Sequence, residues 1–158
     1  MNSEEEKKSM INRVRKKLPH YSLEELSHVE DVLDSLQASK SSELYYFAKF
    51  LGIDWTDGRA AMRLDLQHAN TYGVAQGGTV YTLADFAMGY KVLSGVSEDK
   101  QVYTLEMKMN YISPGKGEQL IAVPELLHVG NRTAVLTCEV KDENSNLIAH
   151  AQGTFYMR

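Results

Sequence analysis

The spacing of apolar residues along the chain changes near residue 45. Before that point apolar residues recur at steps of three and four, as at Leu26, Val29 and Leu33, which places them on one face of a helix. After it the spacing falls to two, the period of a strand with one buried face. The pattern therefore predicts a helical extension over residues 1–45 and a larger domain over residues 46–158.

Two helices are predicted in the extension, separated by Pro19. Ser22 and Glu25 have the spacing of a capping box, in which each side chain accepts a hydrogen bond from the other residue's backbone N–H. The apolar face of the second helix requires a cover, so we expect the extension to pack on the domain or on another subunit. Residues 1–40 contain seven basic and eight acidic side chains, a balance that argues against a DNA-binding arm.

The sequence of the domain predicts several strands and one long helix. Two strands, at 52–54 and 59–66, are predicted on either side of the turn Thr56-Asp57-Gly58, and a glycine-rich loop follows. An apolar run over residues 79–92 has the length and composition of a buried helix. One long helix among antiparallel strands predicts an α+β fold in which the sheet curls around the helix. Four further strands are predicted over residues 101–112, 117–129, 132–142 and 146–157.

Composition narrows the class of protein. Apolar residues make up 43% and charged residues 24% of the chain, values typical of a soluble globular domain. The net charge of −4 argues against a nucleic-acid-binding protein, which concentrates Lys and Arg. The single cysteine, Cys138, offers no disulfide. Neither a secretory signal nor a membrane-spanning segment is recognised, so we expect a cytoplasmic protein with no membrane partner.

Four segments carry a family resemblance. They are Asn-Thr-Tyr-Gly-Val-Ala-Gln-Gly-Gly over residues 70–78, Thr-Leu-Ala-Asp over 82–85, Asn-Tyr-Ile-Ser-Pro-Gly-Lys-Gly over 110–117, and Ile-Ala-His-Ala-Gln-Gly-Thr-Phe over 148–155. In this order they resemble the hotdog-fold acyl-CoA thioesterases of the phenylacetate-pathway type. The resemblance implies an antiparallel sheet wrapped around one central helix, an acyl-CoA substrate, no cofactor, and a homodimer or homotetramer with active sites at the subunit interface.

The resemblance also implies the roles of three site residues. Asp85 falls on the family's catalytic carboxylate, acting as general base or nucleophile. Gly77, at the expected start of the helix, offers its N–H to the developing oxyanion, and its lack of a side chain lets the thioester approach. Gln76, which is expected to orient the thioester, stands where the family most often has histidine. Glutamine does not titrate near neutral pH, so we expect a change in rate or substrate.

For Asp85 the residues themselves leave an alternative open. A carboxylate in an otherwise apolar helix is costly to bury without a partner, and it can instead face solvent or pair with Lys91.

The remaining candidates are less specific. Asn70 is expected to help position water or the carboxylate across the subunit boundary, or else only to close its own loop. Thr104 aligns with a water-positioning hydroxyl of some relatives, but an ordinary strand threonine explains it equally. His68 is expected to be a structural loop histidine. The candidate substrate-binding residues are Gly78 and, for the phosphates of coenzyme A, Lys116, Asn131 and Arg132.

Two other functions remain open on the same fold. One is a non-catalytic acyl-CoA sensor whose helical extension relays binding to a partner, and the other is a dehydratase or hydratase. The presence of Asp85 weighs against the first and Gln76 against the second. No metal-ligand spacing joins the other four histidines to one another or to carboxylates, so no metal site is predicted; they are His20, His28, His128 and His150.

Overall fold

The computed structural model describes residues 3–41 and 46–158. It divides the chain into two compact units, of which the first ends at Tyr46 and the second runs from Phe47 to Arg158. Within the described ranges, every helix is too short or too polar to cross a membrane.

The first unit contains the two predicted helices. Helix α1 spans Ser3–Lys17 and helix α2 spans Leu23–Ala38, with a 3-10 turn at Leu18–His20 between them. The capping box is confirmed: the Glu25 N–H donates to the Ser22 hydroxyl, and the Ser22 N–H donates to the Glu25 carboxylate at 2.7 Å. The Ser22 N–H and, to a smaller extent, the Ser22 hydroxyl donate to the Glu25 carboxylate and lower its pKa. The predicted apolar stripe of α2 lines one groove of this unit.

The second unit is one antiparallel sheet on one long helix, as predicted. The short helix α3 spans Tyr46–Phe50 and the long helix α4 spans Gly77–Leu93. The strands are β1 Ile53–Thr56, β2 Arg59–Arg63, β3 Val102–Tyr111, β4 Gln119–Val129, β5 Thr133–Asp142 and β6 Leu147–Met157. They pair in the order β1-β2-β4-β5-β6-β3, so β1 and β3 are the edges of the sheet.

Helix α4 supplies the centre of the core. Its residues Leu83, Ala84, Ala87 and Met88 are fully buried, and it contacts every strand of the sheet. Phe155 of β6 is buried on the same side. Burial of this face removes apolar surface from water and fixes the direction of the helix, and so the position of both its ends.

Two boundaries differ from the sequence prediction. The strand predicted over 59–66 ends at Arg63, because the Asp65 side chain accepts the Leu66 N–H and starts a 3-10 turn over Leu66–His68. The period-two segment after residue 46 opens with α3 rather than a strand. Gly52, at φ +59°, follows α3 in the left-handed conformation that glycine tolerates best.

Candidate active site

The start of α4 carries the first part of the site. Gln76 is its N-cap, and the Gln76 N–H donates to the His68 carbonyl at 2.7 Å. Among the described residues, the N–H groups of Gly77 and Gly78 have no acceptor, and the exposed Gln76 side chain makes no hydrogen bond. Free N–H groups at the positive end of a helix dipole favour a negatively charged oxygen.

The two glycines at this start have different surroundings. A Cβ atom on Gly77 would lie 3.3 Å from the Tyr111 ring, whereas a Cβ on Gly78 would meet nothing within 4 Å. The Tyr111 hydroxyl also donates a hydrogen bond of 2.7 Å to the Gly77 carbonyl. The space at the Cβ position of Gly77 is therefore filled by Tyr111, whereas the corresponding space at Gly78 is open.

Asp85, two turns into α4, carries the second part of the site. Its side chain is half-buried, and the Thr104 hydroxyl donates to its Oδ1 at 2.8 Å. The alternative ion pair with Lys91 is not formed, and in the described part of the chain Thr104 is the only hydrogen-bond partner of the Asp85 side chain. The second oxygen, Oδ2, has no partner there and is available to a water molecule or a substrate.

Asn70 organises its own loop. Its Oδ1 accepts from the N–H of Tyr72 at 2.9 Å, and its backbone pairs with Val74. The side-chain oxygen is thus engaged by the loop, while no hydrogen bond joins Asn70 to Asp85 within the described residues. The loop-closing interpretation of Asn70 is confirmed, and a catalytic role across the subunit boundary stays a prediction.

His68 is structural, as expected. It is 1% exposed, and its Nδ1 accepts the Asp65 N–H at 2.9 Å. The ring proton therefore resides on Nε2, which lies 3.0 Å from the Leu51 carbonyl oxygen and donates to it. Since the His68 carbonyl also holds the Gln76 N–H, this buried ring fixes the loop that leads into α4.

The predicted phosphate-binding residues do not come together in one chain. Lys116 lies just before β4, whereas Asn131 and Arg132 lie in the hairpin after it. The ten residue steps of that strand correspond to about 30 Å at the usual rise per residue. All three side chains are exposed, and a single chain cannot direct Lys116 and Arg132 at one phosphate group.

The two parts of the site are also separated within one chain. Gly77 and Asp85 are eight residues apart on α4, which corresponds to about 12 Å along a helix axis.

A cavity of about 360 Å³ lies beside the start of the helix. It is lined by Ala75, Gly77, Val80, Tyr111, Ile112 and Ile148 among others.

Sequence reasoning assigned no role to Tyr111. Tyr111 lies in the family motif Asn-Tyr-Ile-Ser-Pro. The periodicity of a strand, however, does not indicate which of its residues contacts the start of a distant helix. The sequence showed only that Tyr111 and Gly77 both lie in motifs of the family. Their contact is visible only in the tertiary structure.

The family follows from comparison with known proteins. A family model described as the thioesterase superfamily matches residues 72–149. An Archaeoglobus fulgidus protein whose name places it among the esterases is 30% identical over 131 residues, which cover 81% of this chain and 82% of that protein. The chain belongs to the thioesterase superfamily, and its fold is the hotdog fold that the motifs predicted.

Two further proteins extend the comparison. Escherichia coli K12 medium/long-chain acyl-CoA thioesterase YigI is 28% identical over 95 residues, 52% of this chain and 61% of that protein. A Bacillus halodurans protein crystallised with CoA shares the fold with a TM-score of 0.86 at 24% identity, over 94% of this chain and 99% of that chain. That match includes most of the helical unit. Family membership and these names support thioester hydrolysis as the general activity.

Proposed function

We propose that this protein hydrolyses acyl-CoA thioesters to a free carboxylic acid and coenzyme A. The class of substrate is supported by the E. coli relative named as an acyl-CoA thioesterase and by the similar B. halodurans fold crystallised with CoA. The observation that carries the proposal is the half-buried Asp85 carboxylate with one oxygen held by Thr104 and the other free. A half-buried carboxylate with a free oxygen is poised to activate water or to attack a carbonyl.

The reaction requires both a carboxylate and hydrogen-bond donors at the thioester carbonyl. The carboxylate either takes a proton from the attacking water or attacks the carbonyl carbon itself. The unpaired N–H groups at the start of α4 stabilise the negative charge that develops on the carbonyl oxygen. When the tetrahedral intermediate collapses, the carbon–sulfur bond breaks, and the thiolate of coenzyme A departs and is protonated. If water was the nucleophile, the free acid forms directly. If the carboxylate was the nucleophile, an acyl-enzyme anhydride forms, and a water molecule hydrolyses it to the free acid and restores Asp85.

Two copies of the chain are required to bring these groups together. The separation of about 12 Å between Gly77 and Asp85 along α4 exceeds the reach of one thioester carbonyl, whose partners lie within about 3 Å of the reacting atoms. A site assembled from Asp85 of one subunit and the α4 start of another removes the conflict. We therefore propose a homodimer or homotetramer with active sites at the subunit interface.

The β3 edge is the surface proposed for this assembly. No strand covers the outer side of β3 in the described chain, and an open edge offers unpaired N–H and C=O groups to another strand. Tyr103 and Leu105 on this strand are 46% and 58% exposed. Thr104 lies on the same strand. Pairing of two subunits at this edge therefore places Thr104 and its hydrogen-bond partner Asp85 close to the partner subunit.

Release of free thiol from a panel of aromatic and aliphatic acyl-CoAs tests the proposal. The wild-type protein and Asp85→Asn are compared at equal concentration. Turnover that falls by about a hundredfold or more in Asp85→Asn supports the proposal. Tight acyl-CoA binding without turnover by the wild type would contradict it and favour an acyl-CoA sensor.

A further inference from the structure

The contact of Tyr111 with the first peptide group of α4 carries an inference about the oxyanion site. The carbonyl that accepts the Tyr111 hydroxyl belongs to Gly77, and the N–H of the same peptide group belongs to Gly78. A peptide group is planar and trans, so a bond that fixes the direction of its C=O also fixes the direction of its N–H.

We propose that Tyr111 is a positioning residue that holds the Gly77–Gly78 peptide group so that the Gly78 N–H acts as an oxyanion donor together with the Gly77 N–H. The inference rests on the proposed thioesterase activity and deepens it.

Three observations support this role for the Gly78 N–H. The group has no acceptor among the described residues. The space beside the Gly78 Cα is open, since a Cβ there would meet nothing within 4 Å. The hydroxyl bond to the carbonyl polarises the amide, which makes its N–H a stronger donor.

The ring of Tyr111 adds a steric constraint to the hydrogen bond. Its Cζ and hydroxyl oxygen would each lie 3.3 Å from a Cβ on Gly77, so the ring lies directly against that Cα. Partial burial, with a smaller contribution from neighbouring Tyr81, raises the pKa of the Tyr111 hydroxyl. A tyrosine hydroxyl with its ordinary pKa of 10.0 is already protonated, and so a donor, at neutral pH, and the upward shift extends this range.

The chain contains a matched control for this contact. The Tyr81 hydroxyl donates to the Met107 carbonyl at 2.7 Å, so it also joins α4 to β3 through a tyrosine and a backbone oxygen. The two hydrogen bonds have the same length and link the same elements. Only the Tyr111 bond ends on the glycine peptide group, so Tyr81→Phe removes an equivalent structural bond without touching that group.

Steady-state kinetics on Tyr111→Phe and Tyr81→Phe provide the first arm of the test. We expect Tyr111→Phe to lower kcat by about tenfold with KM within about twofold, because a better-placed donor acts on the transition state more than on bound substrate. We expect Tyr81→Phe to keep the wild-type kcat. Equal kcat values for the two variants, or a change in KM alone, would overturn the role of Tyr111.

Nuclear magnetic resonance of the glycine amides provides a second arm that needs no turnover. With ¹⁵N-glycine labelling, the Gly78 amide signal should shift in Tyr111→Phe and stay as in the wild type in Tyr81→Phe. An unchanged Gly78 amide in Tyr111→Phe would overturn the inference. If the wild type lacks thioesterase activity, the proposed function fails, and the amide signal still decides whether Tyr111 holds this peptide group.

Discussion

The Thr104 hydroxyl on β3 donates a hydrogen bond of 2.8 Å to Oδ1 of Asp85 on α4. The bond fixes the orientation of a carboxylate that has no other hydrogen-bond partner in the described part of the chain. It also divides the carboxylate into a held oxygen, Oδ1, and a free oxygen, Oδ2. Oδ2 is therefore the oxygen that is free to take a proton from water or to attack the thioester carbonyl.

Replacing Thr104 tests this arrangement. Thr104→Val keeps the shape of the side chain but removes the donor, and we expect kcat to fall by about tenfold or more, since a hydrogen bond to a charged group contributes about 1.5–3 kcal/mol. Thr104→Ser keeps the hydroxyl and should retain most of the wild-type kcat. Equal activity of the valine and serine variants in thiol-release kinetics would show that the hydroxyl has no part in turnover.

The two glycines at the start of α4 should respond differently to alanine. Gly78→Ala places a methyl group in open space on a helix, so the free energy of unfolding should stay equal or rise by up to about 1 kcal/mol. Turnover should nevertheless fall, because the methyl group occupies the approach to the Gly78 N–H. Urea unfolding and thiol release on the same preparation measure the two effects.

Gly77→Ala should lower turnover. The new methyl group would lie 3.3 Å from the Tyr111 ring, so the ring must move away from the Gly77 carbonyl. Wild-type kcat in Gly77→Ala would contradict a role for this contact in catalysis.

Loss of the His68 ring should destabilise the second unit. His68→Leu leaves the part-buried Asp65 N–H and the buried Leu51 carbonyl without their partner. Each unsatisfied group costs about 1–3 kcal/mol, so the free energy of unfolding should fall by about 2–6 kcal/mol. The exposed His128 is the control, and His128→Leu should change stability by no more than about 0.5 kcal/mol. Similar values for the two variants in urea unfolding would refute the structural role.

Cys138 should be unreactive in the folded protein. Burial, with a smaller effect of Glu139, raises the pKa of its thiol to about 12, so almost none is thiolate at pH 8. A disulfide reagent should react with Cys138 only after unfolding in urea, and the native protein therefore adds no thiol signal to the assay of coenzyme A release. Stoichiometric reaction of the native protein within seconds would contradict the buried position.

The raised pKa of the Cys138 thiol also gives a direction to the alkaline stability. The folded thiol binds its proton more tightly than the unfolded one. Its contribution to stability is therefore complete below the ordinary thiol value of 9.0 and is lost as pH rises toward about 12. Urea unfolding at a series of alkaline pH values measures this loss, and Cys138→Ala should show a smaller one over the same range.

Local sequence signals predicted the elements of this fold, and the family resemblance predicted the sheet wrapped around the helix, whereas neither gave the order or the register of the strands. The apolar run of α4, the period-two strands and the capping box of Ser22 and Glu25 depend on neighbours in sequence, and each formed near its predicted place. The predicted end of β2 was wrong because the side chains of Asp65 and His68 bond to the backbone and stabilise a 3-10 turn. Such side-chain bonds compete with strand formation, and the period-two pattern does not reveal them.

The candidate site was predictable only in part, for the same reason. A carboxylate in an apolar helix and a glycine pair at its start indicated Asp85 and Gly77 from local pattern and resemblance. The contacts of Thr104 with Asp85 and of Tyr111 with Gly77 join residues of different elements, and the register that creates them is set by core packing. The separation of Lys116 from Arg132, by contrast, was already implied by the strand predicted over residues 117–129, which lies between them.

Subunit complementation tests the shared active site most directly. Asp85→Asn removes the carboxylate, and Gly78→Leu fills the open space at the start of α4, so each variant alone should be inactive. If one site takes Asp85 from one subunit and the α4 start from another, random co-assembly of the two variants at equal amounts should restore about a quarter of wild-type turnover. Co-expressed variants that assemble together and remain as inactive as each alone would contradict the shared site.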